Sequence, residues 1–280
     1  MQSLTPERIA ELEELARQMR VDSLRLIARR GAGHPGGALS AAEIMAVLYF
    51  HTLQIDPAHP DWEGRDRFIL SKGHASAVLY SALARRGYFP FAELDRWGEL
   101  DCPHQSHPDR LKTPGVDMSS GLLGHGVAVG AGLALAARLK GLGYRTYVLL
   151  GDGECQGGIV WEGAVTAAKY RLSNLTAILD NNDVQLDGPV HEIMPLEPLA
   201  AKWNACGWHV LEINGHTVRA IAEALETAGN IHDRPTILIA HTTKGKGVSF
   251  MENQAYWHGN PPNAVQLQQA LAELGEASNG

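Results

Sequence analysis

Two patterns of apolar spacing alternate along the chain. Thr5-Pro6 reads as a helix N-cap followed by a first-turn proline, and Ile9, Leu12, Ala16, Met19 and Leu26 then recur at helical spacing. This predicts an N-terminal helix over residues 1–30. Ser40-x-x-Glu43 reads as a capping box that opens a second helix through Ile44, Val47 and Leu48. Short runs of apolar and β-branched residues follow at Arg67–Leu70, Thr146–Leu150, Thr176–Leu179, His209–Ile213 and Thr236–Ala240. Helical stretches separate most of them, among them Val127–Leu139, Val160–Lys169 and Val218–Ala228, and a polar tail helix is expected over 261–280. Strands alternating with helices predict an α/β fold: a mostly parallel sheet with helices on both faces, in one domain over 1–280. The small residues Gly130, Ala131, Gly132, Ala134 and Ala136 suggest close helix packing, and one candidate for the covering surface is another protein chain of the same assembly.

Composition narrows the class. The chain has 280 residues, 45% hydrophobic and 20% charged, which suits a globular protein with a sizeable core. A formal net charge of -7 argues against a nucleic-acid partner, since basic clusters are short. Three widely spaced cysteines, Cys102, Cys155 and Cys206, suggest no disulfide framework and point to the cytoplasm. The acidic, amphipathic N-terminus has no signal-peptide core, and the small apolar run Val127–Ala137 is too short to span a bilayer, so no membrane association is expected.

Candidate chemistry gathers behind the strands. "SKGH" follows Leu70, "GDGE" follows Leu150, "DNND" follows Leu179 and "HTTKGKG" follows Ala240. In open parallel sheets, ligands bind beyond the carboxyl ends of the strands. "GAGHPG" at 31–36 fits a dinucleotide fingerprint in letters only, because it follows a helix and Pro35 interrupts it. Cys102-x-His104-x-x-His107 lacks a usual zinc spacing and a fourth ligand, so Cys102 and His104 read as loop residues. Asp152 and Asn182 differ. Each follows a strand, and the intervening length allows one crossover helix and a returning strand, so the sheet can set them side by side. A carboxylate, an amide oxygen and a nearby backbone carbonyl make a hard oxygen site suited to Mg²⁺ or Ca²⁺, with phosphate oxygens completing the shell. Gly153 would let the backbone approach a phosphate closely.

GDG followed at this distance by NN is the thiamine diphosphate motif. "GHPGGALSAAEI", "DRFILSKGHASAVLY", "HPDRLKTPGVDMSSGLLGHG", "GDGECQGGIVWEG", "LDNNDVQLDG" and "TTKGKGVSFMENQAYWHG" occur in order. With these motifs the chain resembles the N-terminal, diphosphate-binding half of transketolase, in the form of the separate N-terminal subunit of a two-component enzyme. The resemblance implies that Asp152, Asn182 and the Val184 carbonyl hold the metal. It implies that Gly153, His74 and His258 contact the diphosphate, and that Gly121 and Leu123 border the aminopyrimidine. His34, His107 and His258 would face substrate hydroxyls and move protons, a task for which imidazole is suited near neutral pH. The implied reaction is transfer of a two-carbon ketol unit from a ketose to an aldose. The implied partner is a C-terminal, pyrimidine-binding subunit in an α2β2 assembly, because the stretch after "AYWHGNPP" carries no counterpart of that half.

Three positions depart from the family pattern. Gly157 stands where a glutamate belonging to an acidic network between the two active sites is usual, although Glu162 of that network is present. His125 replaces a glutamine beside the cofactor ring, and Ser106 replaces a glycine before His107. These changes imply altered communication between sites and a specialised sugar. The α subunit of a 2-oxoacid dehydrogenase shares GDG…NN, but the motifs around His34, His74 and His107 favour transketolase. 1-Deoxyxylulose-5-phosphate synthase is normally one continuous chain. A non-catalytic cofactor-binding module would not need the metal residues intact.

Overall fold

The computed structural model describes residues 4–276. In chain order the helices are α1 (Pro6–Arg30), α2 (Pro35–Ser40), α3 (Ala42–Val47), α4 (Ser76–Arg86), α5 (His125–Lys140), α6 (Gly158–Lys169), α7 (Val190–Ile193), α8 (Leu199–Ala205), α9 (Val218–Gly229) and α10 (Ala264–Glu273). The strands are β1 (Arg67–Leu70), β2 (Thr146–Gly151), β3 (Leu175–Asn181), β4 (His209–Asn214) and β5 (Thr236–His241). They form one sheet in the order β1-β2-β3-β5-β4, and every pairing is parallel. The expected strands are all present, each within one or two residues of its predicted bounds.

Both faces of the sheet are covered, as a parallel sheet requires. One core joins α1, α3, α4 and α9 to the side chains of Phe68, Leu70, Tyr147, Leu149, Ile178 and Leu238. The other joins α5, α6 and α8 to Ile69, Val148, Leu150, Ala177, Leu179 and Ile239. Alternate strand residues therefore point to opposite layers, and both layers are apolar. A third cluster packs α10 and the segment around Val248, Met251 and Trp257 onto Val21 and Leu24 of α1.

Helix α1 begins where the sequence signals it. The Thr5 hydroxyl accepts from the Arg8 N–H at 3.3 Å, and Pro6 opens the first turn. It ends at Gly31, whose φ of 64° a side chain would resist. Residues 1–3 of the predicted N-terminal helix and 277–280 of the predicted tail helix lie outside the described residues.

The predicted capping box at Ser40 is not formed. A helix ends at Ser40 rather than beginning there, and α3 has no side-chain cap. The Ser40 hydroxyl donates to Asp180 Oδ2 at 2.6 Å, while Glu43 accepts from Arg20 and lies 3.1 Å from His216 Nδ1. Partners far along the chain outcompete the local cap. A capping box does occur at Asn263 and Gln266, opening α10.

The small-residue stretch of α5 packs closely, as expected, and its buried side meets the sheet. A Cβ on Gly130 would meet Val148 Cγ2 at 2.6 Å, so this glycine seats α5 on the sheet. Ala131 and Ala134 are buried with it, whereas Val129, Gly132 and Leu139 face outward. No described helix is long and apolar enough to cross a membrane.

Candidate active site

The register aligns the carboxyl ends of the central strands. Gly151 of β2 lies beside Asp180 of β3, and Asp180 lies beside Ala240 of β5. The loops that follow therefore converge, bringing Asp152, Asn182 and Lys244 together with Lys72 and His74 from the loop after β1. They wall a cavity of about 280 Å³ to which Leu123, Gly153, Glu154, Val184 and His258 also contribute.

Asp152 is buried at the cavity edge. It accepts from the Gly153 N–H at 2.7 Å and the Asp183 N–H at 2.5 Å. Burial, and next the neighbouring Asp180 charge, push its carboxyl up to about 6 despite those bonds. Asn182 Oδ1 accepts from the Val184 N–H at 3.1 Å, and its Nδ2 donates to Asp180 at 3.0 Å. The Val184 carbonyl accepts from Lys244 Nζ at 2.8 Å. Burial, then the nearby Lys72 charge, bring the Lys244 ammonium down to about 8. A Cβ added to Gly153 would come within 3.2 Å of Gln185 Cβ, so the backbone here is closely covered.

Four imidazoles form one cluster. The His34 ring centroid is 5.0 Å from that of His74, 5.6 Å from His258 and 6.4 Å from His107. His74 and His258 are 5.1 Å apart. His74 and His258 line the cavity, whereas His34 and His107 extend the cluster beyond its wall. Gly121, with φ of 141°, is exposed and lies against the His107 ring, where a Cβ would reach Cδ2 at 3.0 Å. Burial is the first cause that holds three of these rings neutral. His34 and His74 are both lowered, and His258 falls to about 3 with the Lys244 charge as second cause. The buried Nδ1 of His258 has no hydrogen-bond partner among the described residues.

Four charged cavity residues carry no expectation from the sequence: Lys72, Glu154, Asp180 and Lys244. Lys72 and Lys244 stand within the polar strings behind β1 and β5, and Asp180 precedes the paired asparagines, so the signal was position behind a strand. Glu154 accepts from Ser71, from the Gly124 N–H at 2.6 Å and from the Gly151 N–H at 3.0 Å. It thereby ties the GDG turn to the start of α5. Cys102 and His104 sit in a loop as expected, with the buried His104 stacked on Phe89 at 4.0 Å. No cluster of three or more His, Cys, Asp or Glu side chains suited to a metal occurs among the described residues.

The departures from the family pattern also have structural settings. Gly157 has φ −78° and ψ 130°, and an added Cβ would meet Glu154 O at 3.4 Å, so neither backbone nor space demands glycine. His125 Nδ1 lies 3.2 Å from Leu123 O, and the Ser106 carbonyl accepts from Ser76 Oγ at 2.7 Å.

Comparison with known proteins decides the family. Residues 12–279 match the model described as transketolase, thiamine diphosphate binding domain. The chain belongs to the transketolase family. It is 42% identical to the 6-deoxy-6-sulfo-D-fructose transketolase subunit SqwG of Clostridium sp. (strain MSTE9), over 96% of this chain and 98% of that protein. It is 39% identical to an apulose-4-phosphate transketolase subunit of Phocaeicola vulgatus, over 96% of this chain and 95% of that one. Among solved structures, transketolase from Campylobacter jejuni superposes with a TM-score of 0.92 at 35% identity, covering 97% of this chain. This chain spans 44% of that longer transketolase. The parallel sheet with helices on both faces is thus the thiamine diphosphate-binding fold of the transketolases, and the match excludes an unrelated origin for the GDG…NN spacing.

Proposed function

We propose that the chain is the N-terminal subunit of a two-component transketolase. It transfers a two-carbon ketol unit from a ketose, commonly a phosphate, to an aldose acceptor, and does so only with a C-terminal, pyrimidine-binding subunit in an α2β2 assembly. The observation that carries this reading is one cavity that joins Asp152, Asn182 and Val184 to His74 and His258, behind which His34 and His107 complete the histidine cluster. Two relatives that the chain matches almost end to end are named as transketolase subunits, which supports the partner. Their sugars differ from each other, which supports a specialised donor here. Leu122, Val129, Leu139 and Val165 are exposed apolar side chains on the turn before α5, on α5 and on α6, and they suit an apolar partner surface. The working unit is one diphosphate-binding domain in the cytoplasm, where the three free cysteines are at home, with neither nucleic acid nor membrane as partner.

The residues present fit a diphosphate and a hard cation. The Asp152 carboxylate, Asn182 Oδ1 and the Val184 carbonyl would hold Mg²⁺ or Ca²⁺. Gly153, His74, His258 and the two ammonium groups of Lys72 and Lys244 face the space a diphosphate would take, and the partnerless His258 Nδ1 is one polar atom it could satisfy. Gly121 and Leu123 would border the ring end. Thiamine diphosphate, when bound, supplies the nucleophile and electron sink for cleaving the bond beside a ketose carbonyl. His34, His107 and His258 would hold the substrate hydroxyls and pass protons.

Alanine at His34, His107 or His258 is expected to cut turnover of the assembled enzyme by roughly 10²–10⁴-fold while the melting temperature at neutral pH stays within a few degrees. Wild-type turnover in all three would remove them from the mechanism. His258 also predicts a pH effect. Its folded value, about 3, lies below the unfolded value of roughly 6.5, so its contribution to stability is complete above the unfolded value and is lost as pH falls from there towards 3. Asp152 works in the opposite sense, so the comparison must be between variants. His258→Gln should melt with a shallower acid slope than wild type between pH 6.5 and 4; equal slopes would contradict the assignment.

Gly157 is expected to weaken communication between the two sites. A Cβ at position 157 meets only ordinary contacts, and calorimetric titration of thiamine diphosphate into the full complex should show stronger site-to-site cooperativity in Gly157→Glu. Identical strong cooperativity in both proteins would remove the idea.

A further inference from the structure

Asp180 has no part in the roles above, yet it is the most heavily engaged carboxylate of the cavity. It is fully buried and accepts from Ser40 Oγ at 2.6 Å, from Lys72 Nζ, from Thr242 Oγ1 and from Asn182 Nδ2 at 3.0 Å. Burial opposes its charge, but the Lys72 ammonium and the hydroxyl donors outweigh that and hold the carboxyl below its usual range. An ionised carboxylate only accepts hydrogen bonds, whereas a primary amide has one accepting and one donating branch.

That asymmetry fixes Asn182. Facing Asp180, it must present its NH₂. Its Oδ1 is then left on the other branch, where it accepts from the Val184 N–H at 3.1 Å. A reversed amide would set oxygen against carboxylate on one side and NH₂ against N–H on the other. Both contacts would be mismatched, and both are buried. The same turn continues to the Val184 carbonyl, and its Asp183 N–H holds Asp152. We propose that Asp180 is a positioning residue that orients the Asn182 amide, so that the cavity presents an oxygen rather than an NH₂ to a divalent cation beside Asp152. This inference rests on the metal assignment given under the proposed function.

A double-mutant cycle tests it. Mg²⁺ is titrated calorimetrically into the full chain with thiamine diphosphate in excess. Asp180→Asn, which frees the amide to turn, should lower Mg²⁺ affinity by about tenfold or more, in the range usual for groups that orient ligands. Asn182→Ala should lower it at least as far. In the Asn182→Ala background, Asp180→Asn should then cost little more, because its effect passes through the amide that is already gone. Ser40→Ala and Thr242→Val trim other contacts of the same carboxylate without touching the amide pair. They should stay within about threefold of wild type, the scale of ordinary additive scatter at independent sites. No Mg²⁺ binding by wild type would overturn the metal assignment itself. Mg²⁺ binding by wild type with additive losses in the cycle, or with wild-type affinity in Asp180→Asn, would overturn the positioning role alone. If Asp180→Asn does not fold, a tenfold loss in Ser40→Ala or Thr242→Val would still overturn it, because the network rather than the amide would then set the affinity.

Discussion

Asp152→Ala is expected to abolish the rise in melting temperature that Mg²⁺ and thiamine diphosphate together produce in the full chain. The carboxylate is the only fully charged oxygen donor in the proposed ligand set, and the other two members are an amide and a peptide carbonyl. Removing it leaves two neutral oxygens beside Lys244 and the Lys72–Asp180 ion pair, with no carboxylate left in the ligand set to hold a divalent cation. The folded protein without ligand should tolerate the change, because burial already works against the Asp152 charge and pushes its carboxyl up to about 6. Stabilisation by a ligand follows its concentration relative to Kd, reaching about 2.7 kcal/mol at a hundredfold excess, so a lost site appears as a lost shift. Differential scanning fluorimetry with and without both ligands makes the check. A wild-type shift in Asp152→Ala would remove this aspartate from the site.

Much of the frame was legible because the central strands of a buried parallel sheet are short, mostly apolar and sharply bounded, although the edge strand β4 carries Glu212 and is only partly buried. β1 was readable to the residue, since Arg67 opens it, three apolar residues follow and Ser71 ends it. Placement of chemistry behind strands was equally legible, and Asp152, Asn182 and His74 reach one cavity on that logic, whereas His258, which joins them there, came from motif resemblance. The individual roles of His34 and His107 came from motif resemblance, and no spacing argument would have brought their loops together. What stayed hidden depends on long-range pairing. Ser40 and Glu43 satisfied a local rule for a helix start, yet their partners are Asp180, Arg20 and His216. Gly130 signalled close packing in sequence without naming its neighbour, and it is the β2 side chain Val148 that requires it to be small. Lys72, Lys244 and Glu154 were ordinary polar residues until the register showed them sharing one buried space.

The second large effect concerns the partner. The chain alone is expected to show no ketol transfer, and the partner subunit is expected to restore it at equal stoichiometry. Motif resemblance places the glutamate that activates the cofactor aminopyrimidine in the other half of a transketolase, along with the groups that grip the sugar phosphate. The residues Gly121 and Leu123, proposed to border the ring, are exposed, as is Leu122 between them. An apolar surface on α5 and α6 lies nearby and would be covered in the same step. The effect should approach all-or-none, since an incomplete site lacks a general acid–base group as well as substrate grip. The decisive measurement is consumption of a panel of ketose donors, with thiamine diphosphate and Mg²⁺ present, by this chain, by a C-terminal transketolase subunit, and by both together. The account predicts turnover in the mixture alone, saturating at one subunit of each kind. Full turnover by this chain, free of any co-purified partner, would contradict it.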